Sequence, residues 1–307
     1  GELLSERSTA AGYGHWLLAD ARWDDALAPD ALVPDVVDSS VVVPLLAARA
    51  DSWGCRPGVP VLVGAADSVL GAYGLGVHEP GPVAAVLGTS AVLMAETERP
   101  EPDPDGLAIV TPTATGGFAR EIDQLALGSA IDWLGRILGL DAARVLVLAG
   151  TARLDDAPLV LPYLAPGEQG VRWDPGLFGV MEQLSLRTGR AELALGLVAG
   201  LVHELSRGVG LLSPDRGPVL AGGSVASSPV FRRALADACG REVWFDPDGR
   251  DSSTIGAARF AAAHVLGGPR AARTGGVVTT PDFSAGAVWR ERGERQEAAV
   301  AARQAAR

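Results

Sequence analysis

The chain has 307 residues, enough for one large domain or two ordinary ones, and 48% of them are hydrophobic. No run approaches the ~20 uninterrupted apolar residues that a membrane-spanning helix needs. The formal net charge is −11 and every basic side chain is arginine, so the chain lacks the basic stripe that nucleic-acid binding requires. Composition therefore indicates a globular protein that binds neither nucleic acid nor a membrane.

The cysteines and histidines indicate neither a disulfide framework nor a metal site. Cys55 and Cys239 stand far apart and predict buried or incidental thiols rather than a disulfide framework. The histidines lack the paired spacing of metal ligands, so we expect them to be structural and predict no metal-ligating residue. The first residues show no basic segment leading an apolar one. We therefore expect a cytoplasmic location.

The first strong strand signal is the apolar run at residues 59–63, which leads through small residues to Asp67. Val and Leu without a helical period predict a buried strand, and its carboxyl end would present the carboxylate. A carboxylate fixed there can act as a general base toward an attacking hydroxyl. Alternatively, Asp67 merely caps the following helix, because Asp is a preferred N-cap residue.

A strand hairpin is predicted over residues 82–96, with Gly88, Thr89 and Ser90 at its turn. Glycine allows close approach, and backbone N–H groups with two hydroxyls suit a phosphate. The same tripeptide is also common in ordinary turns, so it means little without further signals.

A third strand exit follows residues 218–221, where Gly222, Gly223 and Ser224 lead toward a predicted helix. The missing side chains would let a nucleotide lie against the backbone, and a helix amino terminus attracts anions. Packing alone could equally explain two adjacent glycines. Ser228 is a further polar residue at this exit. The chain has no Walker-type P-loop motif, which excludes that class of nucleotide site.

Helical periodicity and small residues predict the remaining elements. A helix starting near Asp251 contains Gly256, which would allow close contact with a neighbouring helix. Residues 270–307 are predicted to be a loop and a charged, peripheral helix. The helices are expected over residues 68–76, 126–138, 190–207, 229–240 and 251–263.

The three strand exits, taken in this order, resemble those of the FGGY family of carbohydrate kinases. The segments before Asp67 and the Pro162-Tyr163 pair extend the resemblance, although Gln169 stands where the family has arginine. The resemblance implies an α/β fold of the actin-like ATPase (ribonuclease H-like) kind, with a mixed sheet flanked by helices. It also implies three regions, namely residues 1–79, 80–269 and 270–307, of which the second would be the nucleotide-binding domain.

The resemblance further implies ATP and Mg²⁺ as cofactors and a sugar or sugar acid as the phosphate acceptor. Asp67 would then be the general base. The residues expected around the nucleotide are Gly88, Thr89, Ser90, Gly222, Gly223, Ser224 and Ser228.

Family members begin with a further segment containing Asp-x-Gly-Thr, which this chain lacks. We therefore expect the chain to correspond to the carboxyl-terminal half of a kinase, with apolar faces that could drive homodimerisation. The alternative is a non-catalytic nucleotide-binding or regulatory module of the same fold. An acetate-kinase-like or chaperone-like ATPase is disfavoured by the strand that ends in Asp67.

Overall fold

The computed structural model describes residues 3–26, 33–77, 80–165, 170–213, 217–247, 251–267 and 276–307. Among the described residues, the amino-terminal part consists of two short helices and six short strands, and the strands form three two-stranded sheets. These elements are β1 (Leu4–Glu6), α1 (Arg7–Gly12), β2 (Trp16–Leu17), β3 (Arg22–Trp23), β4 (Asp35–Val37), β5 (Val42–Pro44), α2 (Ala47–Trp53) and β6 (Pro60–Leu62). β1 pairs in parallel with β4, whereas β2–β3 and β5–β6 are antiparallel pairs.

The rest of the chain forms longer helices and one large sheet. In order the elements are α3 (Asp67–Leu75), β7 (Val83–Leu87), β8 (Ala91–Thr97), β9 (Ile109–Pro112), β10 (Phe118–Gln124), α4 (Gly128–Leu138), α5 (Ala142–Ala149), β11 (Leu159–Leu161), β12 (Val180–Glu182), α6 (Arg190–Leu212), β13 (Val219–Gly222), α7 (Pro229–Cys239), β14 (Val243–Phe245), α8 (Ser252–Val265), β15 (Val277–Thr279) and α9 (Gly286–Ala305). The predicted hairpin and the predicted helices α3, α4, α6, α7 and α8 are confirmed.

Seven strands form the large sheet in the order β15-β14-β13-β7-β8-β10-β9. β7, β13 and β14 run parallel, and the other neighbours are antiparallel. β7 lies at the centre and is buried on both faces, which explains its unbroken run of Val, Ala and Leu. The predicted α/β fold with a mixed sheet flanked by helices is confirmed.

Helices α4, α5, α6 and α7 cover one face of the sheet. The centre of this layer is α6, whose Leu197, Leu201 and Leu205 are fully buried against the strands. α6 is also long and apolar enough to cross a membrane, but most of it is buried inside the protein. Its apolar character is therefore accounted for by its position in the core.

Helices α3 and α8 cover the opposite face and cross each other at two glycines. A Cβ on Gly74 would lie 2.7 Å from the Gly256 Cα, and a Cβ on Gly256 would overlap the Leu70 carbonyl oxygen. The helix backbones therefore touch directly, with no side chain between them. This confirms the close contact predicted for Gly256.

The structure corrects the prediction of a buried strand before Asp67. β6 spans only Pro60–Leu62, has β5 as its single partner strand among the described residues, and leaves Val61 37% exposed. An apolar run shows that a segment suits a strand, but it cannot show whether other layers cover that strand. The prediction was wrong because β6 lies outside the large sheet.

The carboxyl-terminal segment contains the predicted helix as α9, and it also contributes a strand to the large sheet. β15 forms the edge of the large sheet beside β14. One stripe of α9 is buried, and Arg292 on that stripe donates a hydrogen bond to Ala157 O at 3.1 Å. α9 has few large apolar side chains, so the sequence did not indicate that it packs against α7 and β11.

Candidate active site

The turn between β7 and β8 is short and lies at the end of the central strands of the large sheet. Leu87 faces Ala91 across the hairpin, and Gly88 donates its N–H to Ser90 O at 2.9 Å. Thr89 is exposed at the tip. In the described part of the chain, the N–H groups of Thr89 and Ser90 donate no hydrogen bond. The turn therefore presents two free backbone donors, as an anion site requires.

The start of α4 determines which way this turn points. Leu127 and Ser129 donate their N–H groups to Thr89 O, each at 3.1 Å, and Gly128 donates to Gly88 O at 3.0 Å. In a trans peptide the N–H points away from the C=O of the same peptide plane. Because α4 holds the two carbonyl oxygens, the two free N–H groups point away from α4.

β13 ends directly beside this turn. Gly222 pairs with Val86 in the parallel register, and Gly223 follows with φ of +94°. A Cβ on Gly223 would overlap Leu87 O and lie 2.6 Å from Leu87 C, so only glycine fits. The structure thus brings two of the three predicted strand exits into contact.

The serines after Gly223 are engaged locally. Ser224 is exposed, and its carbonyl accepts a hydrogen bond from Ser227 Oγ at 2.6 Å. Ser228 is the N-cap of α7, where its Oγ accepts the Phe231 N–H at 3.4 Å. Ser228 therefore has a structural role as a helix cap, and a contact with nucleotide stays a prediction.

Asp67 is the first residue of α3 rather than the end of a strand. Ala66 is the N-cap, and the exposed Asp67 carboxylate accepts the Ser68 N–H through Oδ1 at 2.8 Å. A carboxylate in the first turn interacts favourably with the helix dipole. Asp67 is therefore the first helical residue and not the N-cap, which was the alternative role considered for it.

Helix α3 crosses the sheet from β10 toward β14. At its start, the negative charge of Asp67 is near enough to Glu121 on β10 to help raise the pKa of that carboxyl. In its middle, a Cβ on Gly71 would lie 3.1 Å from Val86 Cγ2, and its last residue, Leu75, lines a small cavity with β14. Asp67 makes no hydrogen bond to the β7–β8 turn among the described residues.

Two carboxyl groups that were not predicted from the sequence, Glu121 and Asp123, share one face of β10. Burial, followed by the charge of Asp123, raises the pKa of Glu121 to about 7, although a 2.5 Å hydrogen bond from Thr111 Oγ1 opposes the rise. Burial also raises the pKa of Asp123. When Glu121 is protonated, its hydroxyl can donate a hydrogen bond to the Asp123 carboxylate. This hydrogen bond stabilises the protonated form of Glu121. The i, i+2 spacing of the two acids in a strand was the signal that could have revealed them.

A second charged cluster lies between α6 and α9. The ligand atoms of His203, Glu204 and Glu297 lie within 4.8 Å of one another, which is close enough to hold a metal ion. Arg172 contacts both glutamates, at 3.1 Å and 2.5 Å, and Arg207 contacts Glu297 at 2.7 Å. Two guanidinium groups already neutralise these carboxylates, so the cluster is a partly buried ion network that links α9 to α6.

Comparison with known proteins matches residues 83–265 to the C-terminal domain of the FGGY family of carbohydrate kinases. Xylulose kinase of Escherichia coli (strain K12) is 29% identical in an alignment of 283 positions, which covers 85% of this chain and 56% of that protein. Gluconokinase of Bacillus subtilis (strain 168) is 28% identical, over 83% of this chain and 54% of that protein. The chain thus spans little more than half the length of these relatives.

Comparison with solved structures also finds carbohydrate kinases. The solved structure of a ligand-bound xylulose kinase from Lactobacillus acidophilus superposes with a TM-score of 0.86 at 18% identity, covering 98% of this chain and 65% of that one. The fold is therefore that of the actin-like ATPases. Because the family match covers more than half of the sequence, the chain belongs to the FGGY family of carbohydrate kinases.

Proposed function

We propose that this chain supplies the nucleotide site and the general base of an ATP-dependent carbohydrate kinase. The proposal is supported above all by the contact between the β7–β8 turn and Gly223, beside the two free N–H groups of Thr89 and Ser90. Phosphoryl transfer depends on positioned donors around the β- and γ-phosphates. The turn offers such donors on a rigid support.

ATP would lie across the two glycine strand exits. The free N–H groups of Thr89 and Ser90 would receive the phosphate tail, while the bare backbone of Gly222 and Gly223 would allow the rest of the nucleotide to approach closely. The exposed Ser224 offers a hydroxyl at the same edge. These groups can orient the nucleotide without bulky side chains in its path.

The Asp67 carboxylate is one ligand of the kind that a magnesium ion prefers, because the ion binds carboxylate and phosphate oxygens. Asp67 uses only Oδ1 in its hydrogen bond to Ser68, which leaves Oδ2 for an ion or a substrate hydroxyl. When bound with ATP, the ion would neutralise phosphate charge.

The acceptor would be a hydroxyl of a sugar or sugar acid, in keeping with the xylulose and gluconate kinases among the relatives. Asp67 would take the proton from this hydroxyl while its oxygen bonds to the γ-phosphorus and the bond from that phosphorus to ADP breaks. A carboxylate at the start of α3 is held at one place relative to the sheet, as a general base requires.

Asp67→Asn tests this proposal, with Asp51→Asn on α2 as a control at another exposed acid. Loss of the base should lower kcat by about 10²- to 10⁴-fold while ATP affinity, measured by calorimetry, stays unchanged. Activity retained in Asp67→Asn would refute the role of the base. ATP binding without sugar phosphorylation by the unsubstituted protein would instead favour the non-catalytic nucleotide-binding module.

A further inference from the structure

The side chain of Glu6 is a buried carboxylate held entirely by hydrogen-bond donors of neutral groups. It is 3% exposed, and the described residues place no arginine or histidine in an ion pair with it. Ser8 donates its N–H at 2.9 Å and its hydroxyl at 2.5 Å. Thr9 donates its N–H and its hydroxyl, both at 2.6 Å. Several donors offset the cost of burying an ionised carboxylate.

The Ser8 hydroxyl extends this network to the segment that precedes Asp67. While its proton is directed to Glu6, its oxygen accepts the N–H of Ala66 at 2.9 Å. A hydroxyl that donates to a charged acceptor becomes a better acceptor itself, so the two bonds strengthen each other. Ala66 is the N-cap of α3, and the next residue is Asp67.

Ser39 fastens the same segment at a second point. Its hydroxyl donates to Glu6 at 3.4 Å, and its carbonyl accepts the N–H of Gly64 at 3.0 Å. The segment 64–66 is therefore attached at both ends to residues that converge on the Glu6 carboxylate. These contacts join α1, the turn after β4 and the start of α3, although the three are far apart in the sequence.

We propose that Glu6 and Ser8 are positioning residues for Asp67. Glu6 orients the Ser8 hydroxyl, Ser8 holds the Ala66 peptide, and that peptide sets where α3 begins and where the Asp67 carboxylate stands. This inference rests on the proposed function, because it assigns to Asp67 the role of general base. A displacement of a reacting group by about 1 Å can lower a rate by roughly 10²-fold.

Capping of α1 is the competing role of this network, because Glu6 is also the N-cap of that helix. A substitution of Thr9 can distinguish capping of α1 from positioning of Asp67. Thr9 gives the Glu6 carboxylate the same number of hydrogen bonds as Ser8 does, but it does not contact Ala66. Thr9→Ala should therefore remove one hydroxyl donor from the Glu6 carboxylate, as Ser8→Ala does, while leaving the Ala66 peptide held.

The test compares Ser8→Ala with Thr9→Ala and with the conservative Ser8→Thr, all in the intact protein. We expect Ser8→Ala to lower kcat by about 10- to 100-fold with the KM for ATP unchanged, and Ser8→Thr to restore most of it. Thr9→Ala should keep the kcat of the unsubstituted protein. Amide hydrogen exchange gives a readout independent of activity, and only Ser8→Ala should speed the exchange of Ala66.

Equal losses of kcat in Ser8→Ala and Thr9→Ala, or unchanged exchange at Ala66 in Ser8→Ala, would overturn the inference. Asp67→Asn is measured in the same series so that the two proposals can fail separately. If Asp67→Asn retains activity, the proposed base is wrong. If Asp67→Asn is inactive while Ser8→Ala behaves like Thr9→Ala, only the positioning role is wrong.

Discussion

Gly223→Ala should disturb the point where β13 meets β7. At φ of +94° an alanine is strained by about 1–3 kcal/mol. The new methyl would also overlap Leu87 O, and relieving the overlap by moving either strand costs a further ~1–3 kcal/mol. The resulting cost of about 2–6 kcal/mol is shared between a lower free energy of unfolding and a displaced β7–β8 turn.

Gly240→Ala is the matched control. Gly240 also has positive φ, +64°, at the end of α7, but a Cβ there would have no neighbour within 4 Å. Its cost should be only the backbone strain of about 1–2 kcal/mol. Comparing the two variants removes the contribution of backbone conformation and leaves that of the contact with Leu87.

Urea unfolding and nucleotide calorimetry measure the two parts of the effect. We expect Gly223→Ala to lose more unfolding free energy than Gly240→Ala and to bind ATP at least about tenfold more weakly, which is ~1.4 kcal/mol. Gly240→Ala should bind ATP normally. Equal stability and equal ATP affinity in the two variants would refute the argument that the β13 exit and the turn form one site.

Two further predictions concern buried charge. Folded Glu121 holds its proton to pH about 7 whereas the unfolded side chain releases it near 4.5, so the free energy of unfolding should fall as pH rises between these values. Glu121→Gln should flatten this fall, by up to ~3 kcal/mol in urea titrations across the window. Glu297→Ala should cost about 1.5–3 kcal/mol because the buried Arg172 loses its hydrogen bonds to this carboxylate but keeps those to Glu204, whereas the exposed Glu294→Ala should cost little in the same titration. A pH profile unchanged by Glu121→Gln, or equal stabilities of the two glutamate variants, would contradict these expectations.

The sequence predicted the elements whose cause is local. The helix α6 is specified by leucines at helical spacing, and the β7–β8 hairpin by two apolar runs around Gly88-Thr89-Ser90. Gly256 indicated a close helix contact because glycine weakens a helix interior, a cost that close packing against a neighbour can offset. In each case the residues that cause the structure lie within one short segment.

The features that the sequence did not predict depend on distant partners. The exposed β6 differs from a buried strand only in what lies around it, and α9 is charged because its arginine and glutamate partners lie on other elements. The carboxyl pair of Glu121 and Asp123 becomes unusual only when burial raises both pKa values. The contact of Gly223 with Leu87 required the strand order of the sheet, which periodicity does not give.

The glycine crossing of α3 and α8 has a mechanical consequence. Since the two backbones touch at Gly74 and Gly256, α3 cannot roll or slide against α8 without opening this contact, and no side chain lies between the two glycines to absorb the motion. Asp67, at the start of α3, should therefore move together with α8. A movement that brings this carboxylate toward a bound substrate would have to carry both helices.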